Sequence, residues 1–392
     1  MPKVLIPHSW SYNMGDAAML LAMSDMMRRV STGSEVAALV SHPQFTRERC
    51  AGIKAEIEGW PWPVPEGKPS FFDLARYPVV FLANMFSALL YRAFRKKVFI
   101  LNSEFSGPMG RFFDCDVVIS PGGDFIGPNY VFMTTFGEFM MARILGKKLV
   151  IMAQTMGPFK GMLNGTLAGL ALRLPNLIVV RENRTAADLK KIGINAVVTA
   201  DLAFTFPKAS GVAKNRKGVR VIICPKKIGR GREAYCRSMR MLAEKIAGLG
   251  CEIVFMPTDK YDVDFHKEIA SGLDVKHEII SEVKPPEDIA RIIANSDFVV
   301  SSRMHAIILG TLSSTPFVAI GDSFKFSEIL EPLCRDCTIG VSELDENIEG
   351  IAARIVDRER LRKSIGENFP SVRERALRNE SILAEKFGEW GF

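Results

Sequence analysis

Short runs rich in Val, Ile and Leu recur along this chain with helical patterns between them, and that alternation limits the fold more than any other feature. The runs are KVLIPH (3–8), EVAALVS (35–41), DVVISP (116–121), KLVIMAQ (148–154), NLIVVRE (176–182) and AVVTAD (196–201). Near-continuous apolar strands separated by helices are what a parallel sheet requires, because each crossover lays a helix over the sheet and buries both of its faces. A break follows at FPKASGVAKNRKG (206–218), which is polar, carries Pro and Gly and has no hydrophobic period. The pattern then restarts with VRVIICP (219–225), CEIVFMP (251–257), HEIIS (277–281), DFVVSS (297–302) and PFVAIG (316–321). Beyond about residue 345 the sequence is helical and charged.

At 392 residues the chain is longer than one core supports, since single cores stop growing at roughly 250–300 residues, so the break divides two domains. The expected organisation is an N-terminal Rossmann-like domain at 1–206, a linker at 207–218, a C-terminal Rossmann-like domain at 219–345 and a helical segment at 346–392 whose last helix packs back on the first domain. Two doubly wound α/β domains of this kind, facing across a cleft, resemble the glycosyltransferase-B plan. A plan of this kind hosts many chemistries and does not fix function.

The formal charge of +7 is partly concentrated in RAFRKK (92–97), KNRKGVR (214–220) and KKIGRGR (226–232). Such a surplus suits an anionic small substrate or an anionic membrane surface. Nucleic acid is not expected, because the clusters are short and lack interleaved aromatics. Seven scattered cysteines and no signal-peptide pattern fit a reduced cytoplasm. Cys334 and Cys337 in CRDC read as thiols, since no second pair at ligand spacing completes a zinc site, and no metal is expected. The apolar stretch PVVFLANMFSALLY (78–91) runs into RAFRKK and is shorter than the roughly 20 residues that span a bilayer. Two readings stand: a helix of the first domain's core, or a peripheral membrane contact through 78–97 with Arg92, Arg95, Lys96 and Lys97 on lipid headgroups.

The chemistry is expected at strand ends. SSRMH (301–305) reads as strand, sharp turn and helix, so Arg303 and His305 project from the carboxyl end of a parallel strand, where open α/β sheets bind ligands. Lys325 follows PFVAIG, the next strand. An arginine fork, an ammonium and an imidazole together suit a compact anion with several oxygens. The plain alternative is a salt bridge at a helix start beside a satisfied histidine. Arg181, which closes the strand before NRTAADLKKIGI, is a second candidate anion clamp. In NMGDAAML (13–20), Asn13 and Gly15 suit a tight turn, and Asp16 either caps the following helix or meets a sugar hydroxyl. In SPGGDFIGP (120–128), Gly122 and Gly123 let the backbone approach a ligand next to Asp124, without the spacing of a dinucleotide site.

Taken in order, NMGDAAML, SPGGDFIG, AQTMGPF (153–159), RENRTAADLKKIGI (181–194), ADLAF (200–204) and SSRMH with its downstream Lys325 resemble the polysaccharide pyruvyl transferase family over roughly residues 3–335. The resemblance implies transfer of the enolpyruvyl unit of phosphoenolpyruvate onto two hydroxyls of a sugar, giving a pyruvate ketal and free phosphate. The acceptor would be a polysaccharide or its lipid-linked precursor, met at the inner face of the cytoplasmic membrane, with no cofactor beyond the donor substrate. By position, the family's phosphoenolpyruvate-binding arginine, histidine and lysine fall on Arg181, His305 and Lys325, and Arg303 is the arginine of SxRxH. Forming a ketal from an enol ester needs an acid for the methylene carbon, cations for two anionic groups and a base for the hydroxyls. His305 fits the acid, and Arg181, Arg303 and Lys325 fit the clamp. The base is one of Asp16, Asp124, Asp262 and Asp264, the last two lying in TDKYDVDFH (258–266). One departure concerns the acceptor: family members often read GDEA where this chain has Ala17. Two other functions fit the same residues, a nucleotide-sugar glycosyltransferase of the same plan and a catalytically inactive homologue acting as a binding subunit.

Overall fold

The computed structural model describes residues 1–63, 71–100, 103–126, 132–159, 162–209 and 217–392. They form two compact units. Unit 1 comprises Met1–Ser11, Met19–Leu202 and Leu377–Phe392, and unit 2 comprises Tyr12–Ala18 and Ala203–Ala376.

Unit 1 is built on strands β1 (Lys3–Ser9), β2 (Glu35–Val40), β3 (Glu56–Gly59), β4 (Val117–Ser120), β5 (Gly123–Ile126), β6 (Lys148–Met156), β7 (Leu177–Val180) and β8 (Val197–Val198). They pair in the order β3-β2-β1-β4-β6-β7-β8, with β5 also on β6, and every pairing is parallel. Successive strand residues enter opposite cores: Leu5, Val118, Leu149 and Ile151 pack on one face, and Val4, Ile6, Val117 and Val150 on the other. Period-two burial on both faces is why these strands read as continuous apolar runs.

Unit 2 repeats the plan with β9 (Arg220–Cys224), β10 (Glu252–Phe255), β11 (His277–Ile279), β12 (Phe298–Ser301), β13 (Phe317–Ile320) and β14 (Thr338–Ile339), in the parallel order β11-β10-β9-β12-β13-β14. The order reverses between β1 and β4 in one sheet and between β9 and β12 in the other. Each reversal opens a crevice beyond the strands' carboxyl ends.

The structure corrects several sequence expectations. Strands β3, β5 and β14 carry no apolar run: β3 (EIEG) and β14 (TI) lie at sheet edges, where one side needs no partner. The change of unit falls at Leu202–Ala203 instead of residue 206, and of the expected linker 207–218, residues 210–216 lie outside the described residues, as do 127 and 128 of SPGGDFIGP. Tyr12–Ala18, expected in the first domain, belongs to unit 2. Its backbone is held there: the Met14 N–H donates to the Thr258 carbonyl at 2.9 Å, the Lys260 N–H to the Tyr12 carbonyl at 3.1 Å, and Asn13 bridges Asp259. Within the terminal helix Arg358–Trp390, residues up to Ala376 belong to unit 2, and the end joins unit 1 through Leu383 and Phe387 in its core. Cys334 and Cys337, read as thiols, are joined as a disulfide. The apolar stretch at 78–91 is part of a longer helix, Phe71–Phe94, with one face buried and one exposed.

Candidate active site

In unit 2 the chain leaves β12 through a turn locked by its own serine. The Ser301 hydroxyl accepts the Arg303 N–H at 2.9 Å and donates to the Arg303 carbonyl at 2.9 Å. This local turn competes with helix formation and delays the helix to Met304–Thr311. Arg303, extended at the helix start, turns its guanidinium onto two acids. Nε donates to one oxygen of Asp262 at 2.6 Å and Nη2 to the other at 2.8 Å, while Asp259 stands 3.2 Å from Nη2. Asp262 is wholly buried and also accepts the Lys227 N–H, at 2.9 Å, from the loop after β9. Asp259 accepts the Tyr261 N–H at 3.0 Å.

Burial disfavours the charge on Arg303, and Asp262, Asp259 and Asp16 outweigh it, so the guanidinium stays protonated. Burial pushes the Asp259 carboxyl up, against the pull of Arg303 and the Tyr261 N–H. The same loop is flanked by Tyr12, whose ring lies edge-on to Tyr261 at 6.0 Å and carries the Lys260 ammonium 4.2 Å above it.

His305 packs on the hook formed by Tyr12–Ala18. A Cβ on Gly15 would overlap the imidazole and stand 2.9 Å from the His305 Cβ, so the close approach requires glycine. Asn13 shapes that hook, its Oδ1 accepting the Gly15 N–H at 2.9 Å. Asp16 is half-buried there, with its charge acting on Arg303. Lys325 lies in the first turn of helix Phe324–Leu330, which follows β13, the hydrogen-bonded neighbour of β12.

The structure therefore brings Asn13, Gly15, Asp16, Arg303 and His305 into one unit, and it changes three roles expected from sequence. Arg303 is not an open fork, because Asp262 engages it bidentately. Asp262, proposed for the acceptor or as base, is closed behind that pair. Asp264 is 94% exposed at its side chain, on the solvated face of helix Val263–Ala270, and pairs only loosely with Lys267 at 3.3 Å. Asp259 is the member that sequence reasoning missed; its signal was a second acid three residues before Asp262 in TDKYD.

Arg181 lies in unit 1, at the end of β7, and is buried. Its Nε donates to the Thr155 hydroxyl at 2.7 Å, its Nη1 pairs with Asp201, and Glu182 and Asp124 add negative charge around it. Burial pushes the Glu182 carboxyl up, opposed by Arg181. The open clamp expected at Arg181 is thus an ion pair closed inside unit 1. Gly122 and Gly123 answer to packing: a Cβ on Gly122 would meet Met19 Sδ at 2.9 Å and the Ala153 carbonyl at 3.3 Å, and Gly123 has φ +135°. Beside them His8 joins Glu138 through Nδ1 and the Ser120 hydroxyl through Nε2 at 2.9 Å, a buried group that the sequence did not suggest. Among the described residues, no group of three or more His, Cys, Asp or Glu is placed to hold a metal ion.

A family model for polysaccharide pyruvyl transferase matches residues 13–323, from the Asn13 hook to the turn after β13. The chain belongs to this family. No curated protein matches it with significance. Among solved structures, UDP-GlcNAc 2-epimerase from Neisseria meningitidis bound to UDP-GlcNAc is 12% identical with a TM-score of 0.65, covering 99% of this chain and 100% of the other. The UDP co-structure of MnaA from S. aureus is 14% identical with a TM-score of 0.60, covering 94% and 91%. A glycosyltransferase from Rickettsia africae is 12% identical with a TM-score of 0.52, covering 99% and 97%. At such identities the likeness is one of fold, and it establishes two Rossmann-like domains of the glycosyltransferase-B type for this pyruvyl transferase family member. Its Ala17, where the resemblance leads one to expect Glu, is buried at 4% exposure, and the neighbouring Asp16 is the acid whose charge acts on Arg303.

Two outcomes test this geometry. Asp262→Ala should destabilise the protein by about 3 kcal/mol, because it strips the largely enclosed Arg303 guanidinium of its main partner and leaves the Lys227 N–H unpaired, whereas Asp264→Ala should stay within about 0.5 kcal/mol, both read by denaturant unfolding. A carboxyl with a raised folded pKa holds its proton more tightly when folded, so the stability that Asp259 contributes is present below the usual Asp value of about 3.9 and is lost as pH rises through the folded value. The wild type should therefore lose stability relative to Asp259→Asn as pH climbs from about 4; parallel pH–stability curves would contradict the assignment.

Proposed function

We propose that this family member moves the enolpyruvyl unit of phosphoenolpyruvate onto two hydroxyls of a sugar in a polysaccharide or its lipid-linked precursor, forming a pyruvate ketal and releasing phosphate. The observation that carries the reading is the meeting of residues 13–16 with Arg303 and His305 at the β9/β12 reversal of one unit. A proton donor, a half-buried carboxylate and a guanidinium held in its charged form stand together where an open sheet binds its ligand.

His305 is the general acid. It delivers a proton to the methylene carbon, and the positive charge that develops at C2 accepts a sugar oxygen. Asp16 takes the proton that this hydroxyl gives up. The C2–O bond to phosphate then breaks, phosphate departs with the bonding pair, and the second hydroxyl attacks C2, closes the ring and yields its proton to the phosphate. Lys325, after the strand next to β12, supplies charge for the donor's anionic groups. Arg303 is a positioning residue that fixes the turn carrying His305, and its guanidinium, on which Asp16 acts, stays charged. Arg181, engaged by Asp201, could meet the donor only by exchanging partners, and this scheme does not use it.

Incubation with phosphoenolpyruvate and a panel of free and lipid-linked glycans should release phosphate together with the mass gain of one pyruvate ketal. Phosphate release with no acceptor modified, or none with any acceptor, would count against the reading. His305→Ala should lower turnover about a hundredfold or more. Gly15→Ala, which displaces the same ring, should lower turnover in the same direction while Asp264→Ala leaves it unchanged; near wild-type turnover in His305→Ala would remove the acid from this scheme.

A further inference from the structure

The helix Phe71–Phe94 of unit 1 has two apolar faces. One is built into the unit, with Val80 2% and Ala88 fully buried, and Phe81 stacked on Trp62 at 6.1 Å. The other carries Val79, Leu82, Phe86 and Leu89 at helical spacing and leaves each of them 51–66% exposed. Phe94, Val98, Phe99 and Ile100 extend the exposed series, so eight of the seventeen large hydrophobic residues exposed in the described part of the protein fall within residues 79–100. Single exposed apolar side chains are ordinary, and a contiguous set of this size marks a surface that something covers.

Charge identifies the cover. From Ala75 to Lys97 the sequence holds five basic residues and no acidic one, and Arg95 and Lys96 are exposed beside the apolar stripe. Lys97 is tied to Asp114 at 2.6 Å. A second copy of the chain is disfavoured as the partner, because a two-fold contact would set these cations against their own image. The window Ala75–Phe94 is long and apolar enough to cross a bilayer by length and composition, but Val80 and Ala88 on its opposite face are packed into unit 1, which favours a helix lying on a surface over one spanning it.

We infer that this face docks unit 1 on an anionic bilayer, with Val79, Leu82, Phe86 and Leu89 in the acyl boundary and Arg95 and Lys96 on headgroup phosphates. The helix lies in the plane of the interface and the apolar stripe carries the docking. The inference rests on this surface and not on the reaction, so the two can fail separately.

The test is co-sedimentation of the full chain with phosphatidylglycerol–phosphatidylcholine vesicles and with phosphatidylcholine vesicles alone, at low salt. The wild type should pellet with the anionic vesicles and much less with the neutral ones. Leu82→Gln, Phe86→Gln and Leu89→Gln together should reduce partitioning more than tenfold, and Arg95→Glu with Lys96→Glu by about tenfold or more, while turnover on a soluble acceptor and the unfolding midpoint are unchanged. Wild-type protein that stays in the supernatant with both vesicles overturns the inference. So does binding that the triple variant retains, or a dimer in solution that the triple variant dissociates.

Discussion

A guanidinium largely withdrawn from water needs partners, and the pairing of Arg303 with Asp262 and Asp259 organises the residues of unit 2 to which the proposed reaction assigns roles. Removing such a charge from water is costly, and only good geometry with further hydrogen bonds offsets the cost. Asp262 supplies both, since its two oxygens meet the fork and one of them also holds the Lys227 N–H. The loops after β9, β10 and β12 are thereby joined around one ion pair. Asp259 extends the linkage to the hook at Tyr12–Ala18 through its bridge to Asn13, and that hook in turn seats His305 against Gly15. The acid of the proposed reaction is thus placed by a chain of contacts that begins with a residue taking no part in the bond changes.

How much of this was legible in the sequence depends on the range of the interaction that decides each feature. Strands buried on both faces announce themselves through their own residues, and the strand–turn–helix at SSRMH was legible for the same reason. The edge strands β3 and β14 were not, because pairing on one side asks little of their side chains. The roles of the two arginines were hidden in acids far along the chain: Asp262 lies 41 residues from Arg303, and Asp201 lies 20 from Arg181. A strand-end arginine reads as an open clamp until its partner is seen. The transfer of Tyr12–Ala18 to the second unit rests on backbone hydrogen bonds to Thr258–Lys260, which no side-chain pattern records. For residues 78–91 the two readings were core or membrane surface; the helix has one face buried among its neighbours in unit 1 and one face exposed, so the core reading covers half of it.

Family and fold carry different weight here. The family match covers the hook and the SSRMH turn, whose contact the structure shows within one unit. The likeness to nucleotide-sugar epimerases and a glycosyltransferase extends over nearly the whole chain at 12–14% identity, which speaks for a shared pair of Rossmann-like domains and leaves the donor open. Fold alone does not choose between a diphosphate and a phosphoenolpyruvate; the choice lies with the side chains at the strand ends.

The donor is therefore the central question, and thermal unfolding in the presence of each candidate addresses it directly, because a ligand that binds only the folded state stabilises by about 2.7 kcal/mol at a hundred times its dissociation constant. Phosphoenolpyruvate should raise Tm in the wild type and raise it less in Lys325→Ala, while UDP-GlcNAc leaves Tm unchanged. A rise with UDP-GlcNAc and none with phosphoenolpyruvate would contradict the account and favour the nucleotide-sugar reading.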